Sequence, residues 1–309
     1  MAAGAASGGS AKSDTYAEAR TWLLLPAWAV LGIFVLAPVL MMLVYSFLTK
    51  EFRGGVIWDF SFAAYDQFFC NRGLFGDEPC SIEWTYINIF WRSIWQAGAA
   101  TLLSLVIGFP TAYFIATRPE KVRPIWVFLI TIPYWVNLLI RTVSMKFMLR
   151  DQGPLNDFLI STGLIDTPIH IVNTNFAVQL GLFYSYLPFM VLPIYASVER
   201  YNFNLSEAAA DLYASKWVTL RRILLPAVKP GVIAGCILVF VPSLGSFLAP
   251  DLLGGAKNFM IGSLIEEQFK GNAGNWPFGA AASMILLTMV LIILLIFARQ
   301  QAKAEKGTG

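Results

Sequence analysis

Few side chains in this 309-residue sequence have the types and spacing for chemistry, and the most concentrated group is the stretch SEAAADLYASKWVTLRRILLPAVKPG, Ser206 to Gly231. It is polar and basic between two apolar runs. Ser206 is placed to cap a helix whose first turn carries Glu207, a favourable sign at the positive end of a helix dipole; Ala208, Ala209 and Ala210, the best helix formers, follow. Ala208 and Leu212, four residues apart, give that helix a small apolar flank, while Glu207 and Asp211 give it an acidic one. A helix so low in profile can lie in a groove of another protein. In the basic stretch that follows, Trp217, Leu220, Ile223 and Leu224 recur at helical spacing while Arg221 and Arg222 stay polar, and Pro226 and Pro230 are expected to break the helix. On physics alone the stretch also fits an interfacial helix on the inner leaflet of a membrane.

A second group is scattered through the apolar runs. Polar groups in hydrocarbon are costly and tend to face protein or water, which makes Asn137, Arg141, Tyr184, Tyr186, Ser243 and Ser246 candidates for a solute path. Trp135 offers a π-face to a cation. Competing with this is plain packing: Ser243 and Ser246 stand near Pro242 and Gly245, where small residues serve close helix contacts, and Arg141 and Lys146 are expected to snorkel to an interface. Asp251, after Pro250, is the acid closest to the interior of an apolar run. It reads either as a solvated cap at a helix end or as a cation contact at the mouth of a path.

Cysteine chemistry is sparse. Cys70 and Cys80 share one loop and can close a disulfide over NRGLFGDEP, worth roughly 3 kcal/mol by chain entropy, whereas Cys236 sits in an apolar run as an inert thiol. The sequence holds no GxxxxGK(S/T) phosphate loop, no Cys and His spacing for a metal and no nucleophile set; the single histidine, His170, reads as solvated. Neither an enzyme nor a nucleic-acid binder is expected, and no cofactor or metal is assigned to this chain.

The elements that must position these residues follow from composition. With 57% hydrophobic and 13% charged residues and a mean hydropathy of +0.62, this is a polytopic membrane protein. Apolar runs at 21–49, 93–117, 124–140, 171–198, 230–250 and 271–298 each approach the roughly 20 residues a helix needs to span hydrocarbon, the third being short unless it continues past Arg141. They are continuously apolar rather than alternating, which excludes a barrel. The expected fold is all-α with six spans. The first run is too long for a signal-peptide core and is read as a retained span, preceded by a small-residue tail over 1–19 that is expected to be disordered. The transmembrane domain is placed at 20–298, and 299–309 form a second tail.

Orientation follows from the cations. Of 22 Lys and Arg, 13 fall in one set of connections, including Arg118, Lys121, Arg123 and the Arg200–Lys229 group, and only 6 in the other set, which also holds 12 of the 19 acids. By the positive-inside rule both termini are cytoplasmic, and so is the loop 199–230. An acidic outer face favours a cationic solute, weakly because of screening.

The pattern E-A-A, then A-D-L, then a basic helix ending in L-P before the penultimate span resembles the EAA loop of permease subunits of binding-protein-dependent ABC importers. That family implies a type I importer architecture, in which Glu207, Ala208, Ala209, Asp211, Leu212, Tyr213 and Pro226 belong to a coupling element seated on a cytoplasmic ATPase. Tyr213 stands where the family usually has Gly, so an extra helical turn or an altered contact is expected there. Stretches such as LIRTVSMKFML, GPLNDFLISTGLIDTPI and NWPFGAA are similar to the spermidine/putrescine-type permeases over about residues 90–298; the first 85 residues match in pattern only. The resemblance implies a bacterial inner membrane, a second permease subunit, two ATPase subunits holding ATP and Mg, and an external binding protein. The alternatives are a permease for another small nitrogenous or organic solute, and a secondary transporter or channel; the absence of Asp and Glu from all six runs argues against the latter. A membrane scaffold would leave the coupling pattern unexplained.

Overall fold

A computed structural model describes residues 10–51, 55–71, 81–82, 84–255, 257–270 and 274–306. Apolar runs become helices because only there does each segment satisfy its own backbone donors and acceptors in hydrocarbon. The helices are α1 Ser10–Tyr45, α2 Ala63–Asp66, α3 Trp84–Ala116, α4 Arg123–Trp135, α5 Leu138–Leu149, α6 Pro154–Ser161, α7 Asn175–Glu199, α8 Asn204–Asp211, α9 Lys216–Thr219, α10 Leu225–Leu244, α11 Ile261–Phe269 and α12 Trp276–Lys306. Widened π-helical turns occupy Leu220–Leu224 and Pro250–Gly254.

Five segments are long and apolar enough to cross a membrane: Trp28–Tyr45, Trp84–Ala116, Asn175–Glu199, Lys216–Leu244 and Trp276–Arg299. The expected third span is a bent pair, Arg123–Trp135 and Leu138–Ser161, turned by 88°. Counting that pair as one gives the six expected spans. The bend has a local cause: Val136 is extended at ψ 137°, and the Asn137 carboxamide accepts from the Leu139 N–H at 2.8 Å, starting a new helix.

Three local expectations are corrected. Helix α1 begins at Ser10, so residues 10–19 are helical rather than disordered; Ala, Lys and Glu there are good helix formers propagating from an apolar span that nucleates them. Residues 1–9 lie outside the described region. Helix α12 likewise runs on through Lys306 into the segment read as a separate tail. Strands also appear in the first connection, where β1 Leu48–Lys50 pairs antiparallel with β2 Val56–Phe60 and β3 Cys70–Asn71 with β4 Ser81–Ile82. The first hairpin is held by aromatic packing of Phe47 on Phe60, centroids 5.3 Å apart.

Cys70 is disulfide-bonded and Cys236 is free; Cys80 lies outside the described residues. Peptide mass spectrometry without reductant is expected to recover Cys70 linked to Cys80 and Cys236 as a thiol. Recovery of free thiols at both Cys70 and Cys80 from fresh membranes would contradict it.

The centre of the molecule is the trio α3, α7 and α10, which meet around Ile115, Met190, Val191, Ile194, Val198, Val228 and Val239. Lipid tails are as apolar as these side chains, so burial alone does not hold spans together; close backbone approach does. Gly235 supplies it on α10, where an added Cβ would stand 3.1 Å from the Met190 carbonyl oxygen. The fifth span ends at Leu244, and the chain folds back so that α11 lies against its end: a Cβ on Gly262 would fall 2.5 Å from the Gly245 carbonyl oxygen. Helix α3 pins this return. Arg92 donates from Nε to the Phe259 carbonyl at 2.9 Å, and the Ser93 hydroxyl accepts from the Ile261 N–H at 2.8 Å.

Candidate functional site

The loop between the fourth and fifth spans forms a two-part surface. Helix α8 starts at Asn204, earlier than expected, and Ser206 is not its cap; the Ser206 hydroxyl instead pairs with the Tyr201 hydroxyl at 2.8 Å. Glu207, Ala208, Asp211 and Leu212 are exposed as a face for another protein requires. Ala209 is not: it is 6% exposed and turned into its own chain. The two small residues of the E-A-A pattern thus divide, Ala208 facing outward and Ala209 allowing α8 to lie close to the fold.

Helix α8 ends in a Schellman turn. The Tyr213 N–H donates to the Ala210 carbonyl at 2.9 Å and the Ala214 N–H to the Ala209 carbonyl at 3.0 Å, with Tyr213 left-handed at φ 58°. The turn that glycine usually makes is therefore kept, which corrects the expectation of an extra helical turn. Tyr adopts this conformation at a cost. The result is that Leu212 and Tyr213 stand 82% and 98% exposed side by side at the helix end.

Pro226 does not break the helix that follows. Residues from Lys216 to Leu244 form one continuous span whose Leu220–Leu224 segment is π-helical, the Leu225 N–H donating to the Leu220 carbonyl. Widening by one residue just before Pro226 gives its ring room at the place where a helix would otherwise kink. Pro226 is exposed, and the loop that carries α8 is thereby joined without a break to α10.

The second site is a cavity of about 400 Å³ at the break in the third span, lined by Tyr134, Trp135, Asn137, Arg141, Ser185, Tyr186, Phe189 and Pro242. Of the expected path residues it brings together Trp135, Asn137, Arg141 and Tyr186. Trp135 is 80% exposed, and Tyr186 donates to the Pro242 carbonyl at 3.3 Å. Tyr184 stands beside it, its ring centroid 5.9 Å from the Arg141 guanidinium carbon. Ser243 does not join: fully buried, it donates to the Val239 carbonyl at 2.6 Å, a packing role. Ser246 is buried near the span end. Asp251 lies outside the cavity, exposed in the first turn of Pro250–Gly254. His170 is exposed, its Nδ1 2.8 Å from an Asp151 carboxylate oxygen. Among the described residues no group of His, Cys, Asp and Glu is placed to hold a metal.

Arg141, expected either along a solute path or snorkelling to an interface, lines the cavity. It does not snorkel: it is 6% exposed, and its Nε and Nη1 have no hydrogen-bond partner among the described residues. The 88° turn after Trp135 lays α5 against α7, so a position that would reach the interface on a straight helix is carried inward. Ser185 and Phe189, which complete the wall, went unremarked; the PYWVN sequence ahead of them, with a capping Asn after Pro133, was the available signal for a break.

The family model described as "Binding-protein-dependent transport system inner membrane component" matches residues 104–303. Among curated relatives, the spermidine/putrescine transport system permease protein PotB of Escherichia coli K12 is 43% identical over 279 residues, covering 90% of this chain and 96% of its own. The protein of the same name from Haemophilus influenzae is 38% identical over 266 residues, covering 86% and 88%. Among solved structures, a bacterial ABC transporter involved in the import of the acidic polysaccharide alginate superposes with a TM-score of 0.66 over 95% of this chain and 98% of its own, at 18% identity. The MetNI methionine ABC transporter superposes with a TM-score of 0.52 over 70% and 94%, also at 18% identity. With its matched span reaching from inside α3 to near the end of α12, and with the exposed loop of α8 in its expected place, the chain belongs to the family of binding-protein-dependent transport system inner membrane components.

Proposed function

We propose that this chain is a permease subunit of an ATP-driven importer for polyamines of the spermidine and putrescine class. The observation that carries the reading is the coincidence of two features: identity of 43% to permeases named for that cargo, and a rigidly mounted α8 from whose end Leu212 and Tyr213 project, with Leu205 also exposed on the helix. The chain acts as half of the membrane unit, paired with a second permease, two ATPase subunits that hold ATP and Mg, and an external binding protein that delivers cargo. Glu207, Ala208, Asp211, Leu212 and Tyr213 form the contact with the ATPase, and Pro226 and the π turn transmit its movement to α10.

Within the membrane the cavity supplies ring faces rather than carboxylates. A desolvated ammonium over Trp135 gains up to about 2 kcal/mol from the ring quadrupole, whereas the like charge of Arg141 repels it, by about 3 kcal/mol for a separation of roughly 6 Å at an effective dielectric of 20 and by less with distance. The cargo therefore follows the exposed Trp135 side of the cavity.

The assembled transporter, reconstituted with its binding protein, is expected to hydrolyse ATP faster when spermidine or putrescine is supplied and to accumulate the labelled polyamine. Trp135→Ala is expected to lower uptake about tenfold, the worth of a desolvated cation–π contact, with binding-protein affinity unchanged. Asp251→Asn, outside the cavity, is expected to change it far less. Stimulation by an unrelated solute and by neither polyamine would replace the cargo assignment; equal uptake by Trp135→Ala and parent would remove the cavity from the path.

A further inference from the structure

Arg141 is charged under all physiological conditions, because a guanidinium does not give up its proton in proteins. A buried charge is normally paired or hydrogen-bonded throughout. Here Nε and Nη1 are both buried without a partner, and what the guanidinium has nearby is aromatic: the Tyr134 ring at 5.8 Å and the Tyr184 ring at 5.9 Å. Ring faces at this range soften the charge without occupying the N–H donors.

Among the described residues no Asp or Glu forms an ion pair with Arg141, and none of the chain's six apolar runs contains either residue. A lipid headgroup is also out of reach: Arg141 lies against Tyr184 of the 25-residue helix α7, nine residues or about 13 Å along the axis from its first residue and more than that from its last. For a helix of this length centred on a hydrocarbon core of about 30 Å, that is about 10 Å below the headgroups. Arg141 nevertheless lines a cavity that opens beside Trp135, and a cationic cargo cannot satisfy a cation's donors.

We infer that the cavity at the third-span break is an intersubunit socket, in which Arg141 pairs with an Asp or Glu carried on a membrane span of the second permease subunit. This rests on the reading of the chain as one of two permeases, though not on the identity of the cargo. The carboxylate completes the hydrogen bonding of the guanidinium, fixes the register of the two subunits, and neutralises the charge that would otherwise repel an ammonium from the Trp135 face. A neutral hydrogen-bond acceptor would fill the donors but leave that repulsion in place, so the charge of the partner group matters as well as its geometry.

The inference is tested in the whole transporter, expressed with its own second permease, ATPase and binding protein. Arg141→Met keeps the bulk and removes the charge, leaving the partner's carboxylate unpaired. It is expected to lower the amount of second permease recovered with this chain at least tenfold, and recovery is expected to return when the one matching intramembrane Asp or Glu of the second subunit is also made apolar. Because Arg141→Met could act through misfolding, a second measurement is independent of it: Arg141→Cys, combined in turn with cysteine at each intramembrane carboxylate of the second subunit in a Cys236→Ser background, is expected to give one subunit-linking disulfide on mild oxidation. Undiminished recovery with Arg141→Met together with no cross-link at any position overturns the inference. So does loss of a tightly held anionic lipid from Arg141→Met while the permease pair stays intact. Absence of polyamine uptake in the parent would overturn the cargo assignment instead, leaving the cross-link result to stand by itself.

Discussion

Leu212→Asp is expected to abolish uptake while leaving insertion, folding and recovery of the chain in membranes unchanged. The reason lies in where the side chain points. Leu212 is 82% exposed at the end of α8 and makes no contribution to the buried core, so its loss costs the isolated chain little, usually within about 0.5 kcal/mol for a surface position. Seated in a groove of an ATPase the same residue is an apolar anchor, and forcing a carboxylate into that groove costs several kcal/mol unless it is paired, enough to lower coupled turnover by two orders of magnitude or more. The flanking Glu207 and Asp211 make the defect worse by adding like charge. Substrate-stimulated ATPase activity and uptake in reconstituted vesicles check the outcome; normal values for both in Leu212→Asp would take α8 out of the coupling surface.

Tyr213→Gly separates the two things that Tyr213 does. Glycine adopts φ near 58° freely, so this change is expected to relieve backbone strain by about 1 kcal/mol while removing the exposed ring beside Leu212. A more heat-stable chain with weaker coupling places the ring in the interface; unaltered coupling makes Tyr213 a structural stand-in for glycine. Ala209→Asp, by contrast, is a test of folding, because Ala209 is buried within the chain.

What could be read from the sequence here was whatever depends on runs and spacing. Six apolar stretches marked the spans, and E-A-A to L-P marked a loop with a short exposed helix between two of them, because both are written in consecutive residues. What could not be read depends on direction. Whether Ala208 or Ala209 faces outward is a matter of 100° of helix rotation, fixed only by what α8 packs against. Arg141 was left open between a path and the interface, and one extended residue, Val136, decides it by turning α5 inward. Pro226 was expected to break a helix because its missing N–H is visible in the sequence, while the π turn that accommodates it is a property of the backbone around it.

Gly231→Leu is expected to prevent assembly of the chain altogether. Gly231 stands one residue after Pro230, where the loop that carries α8 has become span five, and its Cα lies against α7: an added Cβ would meet the Ser197 hydroxyl and stand 2.5 Å from the Pro193 carbonyl oxygen. The hydroxyl can rotate away, but the carbonyl belongs to a helix backbone and cannot. Relief would require α7 and α10 to separate, and these two spans with α3 enclose the fully buried Met190, Ile194, Val228 and Val239. Overpacking a filled core costs about 1–3 kcal/mol where the backbone can adjust; here, with backbone opposed to backbone, the upper end or beyond applies even to Gly231→Ala, and a leucine adds three further carbons to the same gap. The α7 end concerned is also tied to α4, since Glu199 accepts from the Tyr195 hydroxyl at 2.6 Å and faces Arg123 at 3.6 Å. Movement there would tilt the ends of three helices on the α8 side and misplace α8. Gly231→Ala is therefore expected to reach the membrane with a lowered melting temperature and impaired coupling, and Gly231→Leu to be degraded. Wild-type amounts of Gly231→Leu with full uptake would mean that α7 and α10 do not cross as closely as their backbones indicate.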